Sequence, residues 1–109
     1  MQVQSIHTIG PDQNSPVSLI TLFQNQFEHT IVKFGFVTIP PGQRVPLSGM
    51  STHQEHEYSL VIKGSLITES GGKEYRISKG QATYIPAGES HYAFNDGEQD
   101  CEIVWVLVS

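Results

Sequence analysis

Turn-forming residues interrupt this chain so often that no segment is left for a long helix. Gly, Pro, Asn or Asp separate short apolar or alternating segments throughout, and apolar residues nowhere keep a helical spacing over about three turns. The sequence therefore predicts an all-β protein with about eight strands. The predicted strands are Val17–Phe23, Thr30–Ile39, Glu57–Lys63, Ser65–Glu69, Lys73–Ile77, Ala82–Ile85, His91–Phe94 and Glu102–Val108.

Three of the segments between the predicted strands contain residues that are typical of tight turns. Ser70-Gly71-Gly72-Lys73 places two glycines side by side, and both tolerate the positive φ that a type I′ hairpin requires. Pro40-Pro41-Gly42 ends the second predicted strand, and Asn95-Asp96-Gly97 turns the chain before the last one. The turns support the all-β interpretation.

The length of 109 residues suits one domain. About eight short strands in one open sheet would leave its edges exposed and one face uncovered, so the strands must close or form a sandwich. A double-sheet jelly roll meets this requirement and has room inside for side chains and one small ligand. We predict an N-terminal arm over residues 1–14 and a single barrel domain over residues 15–109.

Composition excludes several classes of partner. Six Lys and Arg against eleven Asp and Glu give a formal net charge of −5, so a nucleic-acid backbone is repelled overall. The longest apolar run, Ile103–Val108, is far shorter than the roughly twenty residues of a membrane helix. Cys101 is the single cysteine and cannot form an internal disulfide. We therefore predict a cytoplasmic protein that binds neither nucleic acid nor membrane.

Two segments carry the residues best suited to chemistry. In an extended chain His53 and Glu57 point to the same face, whereas His56 points to the opposite one. Further along, the turn Pro86-Ala87-Gly88 delivers His91 to the start of another strand. One imidazole and one carboxylate thus converge, and a second imidazole becomes available.

These two segments resemble the signature motifs of the cupin superfamily. The second motif is matched residue for residue by Gly80-x5-Pro86-x-Gly88-x2-His91-x3-Asn95, and the latter half of the first motif by His53-x3-Glu57-x6-Gly64. Ser51 occupies the position of the family's first histidine. The resemblance covers most of the chain and implies an RmlC-like barrel, the double-stranded β-helix or jelly roll of cupins.

The resemblance also implies a mononuclear metal site near the barrel mouth, with His53, Glu57 and His91 as its ligands. Two neutral imidazoles and a carboxylate suit non-haem Fe(II), and they suit Zn, Ni or Mn as well. We therefore predict one divalent transition-metal ion per subunit. The position left by Ser51 goes to water or, after a loop rearrangement, to His56 or Glu55.

Three functions are compatible with such a barrel. A metalloenzyme of the dioxygenase, lyase or isomerase type would bind a small oxygen-rich molecule at the open positions of the metal. The alternative is a sensor module that binds a small molecule or sugar without turnover, since the segments around His56 and His91 also resemble the sugar-sensing domains of arabinose-type regulators. A dimeric scaffold without a metal is the third. We favour the enzyme.

The remaining candidate residues have simpler interpretations. His56 is predicted to lie at the surface or at an interface, and His7 and His29 in solvent. Cys101 is predicted to be a small buried apolar residue. Candidate wall residues of the ligand pocket are Ser59, Val61, Tyr75 and Trp105.

Two segments, Tyr58–Ile62 and Ile103–Val108, are apolar on both faces. In a small monomer the outer face of these strands would form an exposed apolar patch of the kind that marks an interface. This pattern and the resemblance both predict a homodimer that packs sheet to sheet.

Overall fold

Two antiparallel sheets packed face to face form the barrel in the computed structural model, which describes residues 1–11 and 17–109. One sheet has five strands and the other has four, and the all-β jelly-roll prediction is confirmed. In chain order the described strands are β1 (Ser18–Phe27), β2 (Thr30–Ile39), β3 (Arg44–Val45), β4 (His56–Lys63), β5 (Ser65–Ser70), β6 (Lys73–Ser78), β7 (Ala82–Ile85), β8 (His91–Phe94) and β9 (Cys101–Val108). The strand orders are β1-β2-β9-β4-β7 and β3-β8-β5-β6.

Residues 1–11 precede the barrel without forming a strand. The boundary predicted between an arm over residues 1–14 and a domain from residue 15 falls on residues 12–16, which lie outside the described residues. The described part of the chain contains no helix with the length and apolarity needed to cross a bilayer.

The first hairpin is longer than predicted. The predicted end of the first strand at Phe23 is wrong, because β1 continues through a polar stretch to Phe27 and pairs with β2 as far as Thr30. The turn between them contains Glu28, which has φ 54°. The polar stretch is exposed on both faces, so the alternation of polarity that indicates a strand is missing there. The strand β3 was not predicted because its two residues are too few to alternate.

The glycine turns are confirmed. Gly71 and Gly72 have φ values of 60° and 81°, as a type I′ turn requires, and they join Ser70 to its partner Lys73 across the hairpin. At the end of β2 the backbone N–H of Gln43 donates to the carbonyl of Pro40 at 3.2 Å. Both turns lie where the sequence predicts them.

Side chains from the inner faces of both sheets form one apolar core. Trp105 of β9 lies against Gly35 of β2, and a Cβ at Gly35 would overlap both the indole ring and the carbonyl of Ile20. Gly35 therefore allows the large ring to fit between the sheets. The buried core residues are Val17, Val37, Ile39, Val61, Leu66, Cys101, Ile103 and Trp105.

Asn95 is fully buried and ties the end of β2 to the loop between β8 and β9. Its Nδ2 donates to the carbonyls of Ile39 at 2.8 Å and Gln99 at 2.9 Å, and its Oδ1 accepts from the N–H of Gly97 at 2.9 Å. The amide group thus satisfies three backbone groups away from water.

Replacing Asn95 tests this contribution. The Asn95→Ala substitution removes the three hydrogen bonds, leaves their backbone partners unsatisfied and creates a void, so we expect a loss of about 2–4 kcal/mol in the free energy of unfolding. Urea denaturation measures it. Asn25→Ala, on an exposed part of β1, is the matched control and should change stability by less than about 0.5 kcal/mol. Equal stability of the two variants would contradict this role.

Candidate metal centre

His53, Glu57 and His91 come together at the mouth of the barrel. One potential ligand atom from each lies within 4.8 Å of the others. Glu57 lies on β4 of the five-stranded sheet and His91 begins β8 of the four-stranded sheet, so the group bridges the two layers. The two imidazole rings meet edge to face, with centroids 5.0 Å apart.

Backbone pairing positions the two histidines. The chain from Gln43 to His53 runs antiparallel to the chain from Gly88 to Asn95: Ser51 exchanges two hydrogen bonds with His91 at 2.8 and 2.9 Å, and the carbonyl of His53 accepts from Gly88 at 2.8 Å. His53 itself precedes β4, and a bend at residues 54–55 separates it from the strand. The predicted convergence of His53 with Glu57 is therefore found, but a loop produces it and strand alternation does not.

The loop before Ser51 bulges out of this pairing. Val45 pairs with Ala93 and Ser51 with His91, so residues 46–50 have no partner opposite them. Arg44 holds the bulge by donating to the carbonyls of Pro46 at 2.8 Å and Gly49 at 2.6 Å. The bulge lets the chain return to the mouth of the barrel at Ser51.

Backbone carbonyls orient both imidazoles. Nδ1 of His53 lies 3.0 Å from the carbonyl oxygen of Glu55, and Nδ1 of His91 lies 3.1 Å from that of Glu89. A carbonyl oxygen only accepts, so in both rings Nδ1 carries the hydrogen and donates it. Nε2 of each neutral ring then carries no hydrogen and has a free lone pair, which is the form in which histidine binds a metal ion.

The atoms around His53 fit a cation. Nε2 of His53 lies 3.3 Å from Oε1 of Glu57 and is buried, with no hydrogen-bond partner in the described part of the chain. With a neutral ring, two electron-rich atoms face each other, and a cation between them removes the repulsion. An ion with nitrogen and oxygen ligands at about 2.0–2.2 Å keeps those ligands about 3–4 Å apart. The donor set and its spacing therefore suit a divalent transition metal.

The alternative ligands predicted for the Ser51 position do not enter the group. Nδ1 of His56 accepts from the hydroxyl of Tyr84 at 2.8 Å and from the N–H of Ala87 at 3.3 Å, on the outer face of the sheet. The carboxylate of Glu55 lies 3.9 Å from Nζ of Lys33. His56 is thus an exposed residue, as predicted, and it lies outside the group formed by His53, Glu57 and His91.

Two cavities meet at the candidate centre, with volumes of about 300 and 290 Å³. Their shared wall is Glu57, Ser59, His91, Ala93 and Ile103. The predicted wall residues are all found, with Val61 and Tyr75 in the first cavity, Trp105 in the second and Ser59 in both. A small molecule in either cavity would lie beside the centre.

Lys33 of β2 lines the second cavity and was not among the site residues predicted from the sequence. Its inward-facing neighbours on the strand are Gly35, Val37 and Ile39, so Lys33 is the one charged side chain on that face. In the sequence, the charge of Lys33 interrupts the otherwise uncharged inner face of this strand, and this is the signal that could have identified it.

The other candidates lie where they were predicted. His7 and His29 are exposed. Cys101 is fully buried, and its burial raises the pKa of the thiol to about 11, with a smaller contribution from the charge of Glu102. The thiol is therefore neutral and shielded near pH 7, as expected of a structural cysteine.

The tautomers provide a direct test of the site geometry. We expect nitrogen-15 NMR of the metal-free protein, recorded with neutral imidazoles, to show Nδ1–H tautomers for His53 and His91. His56 should show the opposite, Nε2–H, tautomer because its Nδ1 accepts two hydrogen bonds. His7 and His29 serve as exposed references. An Nε2–H tautomer at His53 would contradict the orientation described above.

Comparison with known proteins agrees with the fold and the motifs. The family model Cupin_2, described as a cupin domain, matches residues 35–107. An oxalate-binding protein of Thermotoga maritima is 30% identical over 76 residues, which are 69% of this chain and 60% of that protein. The xanthan biosynthesis protein XanB of Xanthomonas campestris is 30% identical over 70 residues, which are 64% of this chain and 15% of that protein.

Solved structures extend the similarity to nearly the whole chain. A predicted oxalate decarboxylase of Thermotoga maritima superposes with a TM-score of 0.78 at 25% identity, covering 98% of this chain and 97% of that one. An RmlC-like cupin of Shewanella frigidimarina has a TM-score of 0.78 at 13% identity, covering 99% and 90% of the two chains. Because the family model matches residues 35–107, which are most of this chain, the chain belongs to the cupin family.

Proposed function

We propose that this protein binds one divalent transition-metal ion through His53, Glu57 and His91 and uses it to hold a small carboxylate anion in the barrel. The observation that carries the proposal is the buried Nε2 of His53, which has no hydrogen-bond partner among the described residues and lies 3.3 Å from the Glu57 carboxylate. A polar atom buried in this way needs a partner, and a metal ion supplies one.

Each residue of the group has a separate role in this proposal. The carbonyls of Glu55 and Glu89 hold the Nδ1–H groups and keep both Nε2 lone pairs available. Glu57 neutralises one of the two charges of the ion, so the loaded centre keeps a positive charge that attracts an anion. When bound, the ion acts as a Lewis acid towards the oxygen atoms of the ligand. Fe, Zn, Ni and Mn all suit the donor set.

The ligand class is supported by the names of similar proteins and by the cavities. A relative from Thermotoga maritima is named an oxalate-binding protein, and a similar solved structure from the same organism is that of a predicted oxalate decarboxylase. Each cavity has room for a small organic anion, and their volumes are about 300 and 290 Å³. We therefore propose a short dicarboxylate of the oxalate type as the ligand.

Turnover of the lyase type is the second function to test. Cleavage of the carbon–carbon bond of oxalate releases carbon dioxide, and the other carbon takes up a proton to give formate. Glu89 lines the first cavity beside His91, and its Oε2 accepts a hydrogen bond from Ser70 at 2.5 Å. We propose this carboxyl group, which lines the cavity beside the centre, as the one that delivers the proton. Binding without turnover, as in a sensor module, remains the alternative function.

Metal retention tests the proposed ligands. Protein purified without a histidine tag, loaded with Zn²⁺ or Mn²⁺ and dialysed, should retain about one ion per chain by elemental analysis. Glu57→Gln and His91→Ala should each weaken metal affinity by at least about 100-fold, because a lost ligand costs more than a lost outer partner. His29→Ala is the exposed control and should retain the ion. Equal retention by all four proteins would refute the site.

The same samples separate an anion-binding protein from an enzyme. Calorimetry with oxalate should give binding to the metal-loaded protein and none to the metal-free protein. Formate detected by NMR after incubation would support the lyase, whereas binding without product would support the sensor.

We also propose that two copies pair through the outer face of the five-stranded sheet. Phe34, Val106, Tyr58 and Tyr84 stand in register across β2, β9, β4 and β7 on that face. Tyr58 and Tyr84 are about half exposed, at 51% and 50%. An uncharged apolar row of this kind pairs with itself across a two-fold axis, and pairing removes it from water.

Disruption of this outer row tests the dimer. Sedimentation equilibrium should give about twice the chain mass of 12.1 kDa for the wild type. Leu60→Glu puts a charge on the same face and should shift the protein to the monomer. Leu47→Glu, in the exposed loop after β3, is the control and should leave the dimer intact. A monomeric wild type would refute the pairing.

A cytoplasmic location is proposed as well. Cys101 is the single cysteine of the chain, and its buried thiol has no partner for a disulfide. The chain therefore gains nothing from an oxidising compartment, and a reducing one suits it.

A further inference from the structure

We propose that Lys33 selects the ligand of the second cavity by binding an anionic group at the end opposite the metal centre. The inference rests on the proposed function, since it starts from a carboxylate held at His53, Glu57 and His91. It adds a residue outside that group and a requirement for a second negative charge on the ligand.

The sheet register places Lys33 in the same row as the centre. Lys33 pairs with Leu107, and Leu107 pairs with Glu57, so the three residues lie side by side across β2, β9 and β4. Adjacent strands are about 4.8 Å apart, which puts the backbones of Lys33 and Glu57 about 10 Å from each other. Both side chains line the second cavity. A ligand in this cavity would therefore have the centre at one end and the ammonium group at the other.

Lys33 is an unusual residue for the inner face of this sheet. The walls around it are mostly apolar, and among the described residues that line either cavity it is the only one with a positive charge. Partial removal of an ammonium group from water disfavours folding unless a charge compensates it.

The observed partner of Lys33 compensates little. Its Nζ lies 3.9 Å from Oε2 of Glu55, and the two side chains are 38% and 25% exposed. A long, partly exposed ion pair of this kind adds little stability. The ammonium group is therefore free to turn towards an anion in the cavity.

Charge identifies the ligand class. The metal-loaded centre would be positive at one end, and Lys33 is positive at the other, so a ligand with one carboxylate for each end is the best complement. The apolar walls between them, including Val37, Leu107 and Trp105, suit a short hydrocarbon linker. We infer a preference for dicarboxylates over monocarboxylates of the same length.

Trp105 makes this preference measurable without an activity assay. It is the single tryptophan of the chain and lines the same cavity, so its fluorescence reports occupancy. Zinc-loaded protein is titrated with succinate and with butyrate, which have the same number of carbon atoms. Oxalate, malonate and glutarate then give the preferred length. We expect the wild type to bind succinate at least about tenfold more tightly than butyrate, a difference of about 1.4 kcal/mol.

Variants at Lys33 assign the preference to this residue. Lys33→Met keeps the length of the side chain without the charge and should reduce the succinate-to-butyrate preference to less than about twofold, with butyrate affinity nearly unchanged. Lys33→Arg should keep the preference. Lys79→Met removes an exposed charge away from both cavities and is the matched control. Circular dichroism and zinc content are measured for each protein, and Lys33→Gln replaces Lys33→Met should the latter not fold.

The outcomes separate this inference from the function on which it rests. Zinc retention and anion binding with an unchanged preference in Lys33→Met would overturn the role of Lys33 and leave the metal centre standing. Equal loss of both anions in that variant would also overturn it, because Lys33 would then not distinguish the second charge. Wild-type protein that retains no zinc, or that when loaded binds none of the titrated anions, oxalate included, would overturn the proposed function and this inference together.

Discussion

The backbone hydrogen bonds between Ser51 and His91 are the contact on which the candidate metal centre depends. They extend the pairing of β3 with β8 past a bulge at residues 46–50 and bring the loop with His53 back to the start of β8. The bond from Gly88 to the carbonyl of His53 completes the connection. Because these bonds involve only main-chain atoms, they hold the two histidines together whichever side chain stands at residue 51.

The same segments that position the ligands also supply the groups that orient them. The carbonyls of Glu55 and Glu89 lie two residues after His53 and two residues before His91, and each binds the Nδ1 of its histidine. Local main-chain geometry thus chooses the tautomer, and among the described residues the buried Nε2 of His53 has no hydrogen-bond partner. A buried, unpaired nitrogen 3.3 Å from a carboxylate oxygen is unfavourable in the absence of a cation, and this is the observation behind the proposed metal site.

The distribution of charge in the barrel extends this argument from the metal to the ligand. Glu57 and Lys33 lie in one row of the sheet with the neutral Leu107 between them. The walls around them are mainly apolar, so an interaction between charges there is stronger than the same interaction in open water. A metal-held anion with a second charge would find a partner at each end of the cavity.

Much of the fold was predictable because strand alternation and turn chemistry are local. The glycine pair at residues 71–72 specified a type I′ turn, and most predicted strands lie within one or two residues of the observed ones. The polar continuation of β1 to Phe27 and the short strand β3 were missed, since neither alternates in polarity and both are stabilised by pairing with another strand. Lys33 was missed for a related reason: its significance depends on what lies across the cavity.

The sequence by itself determined the all-β class, the positions of the turns and the identities of His53, Glu57 and His91 as residues with suitable chemistry, because period, turn propensity and motif spacing are properties of neighbouring residues. The tertiary structure alone decided which side chains meet. It turned His56 outwards to Tyr84, placed Ser51 opposite His91 and put Lys33 in the row of Glu57. These contacts join residues far apart in the chain, and sheet register sets them through the packing of the whole barrel.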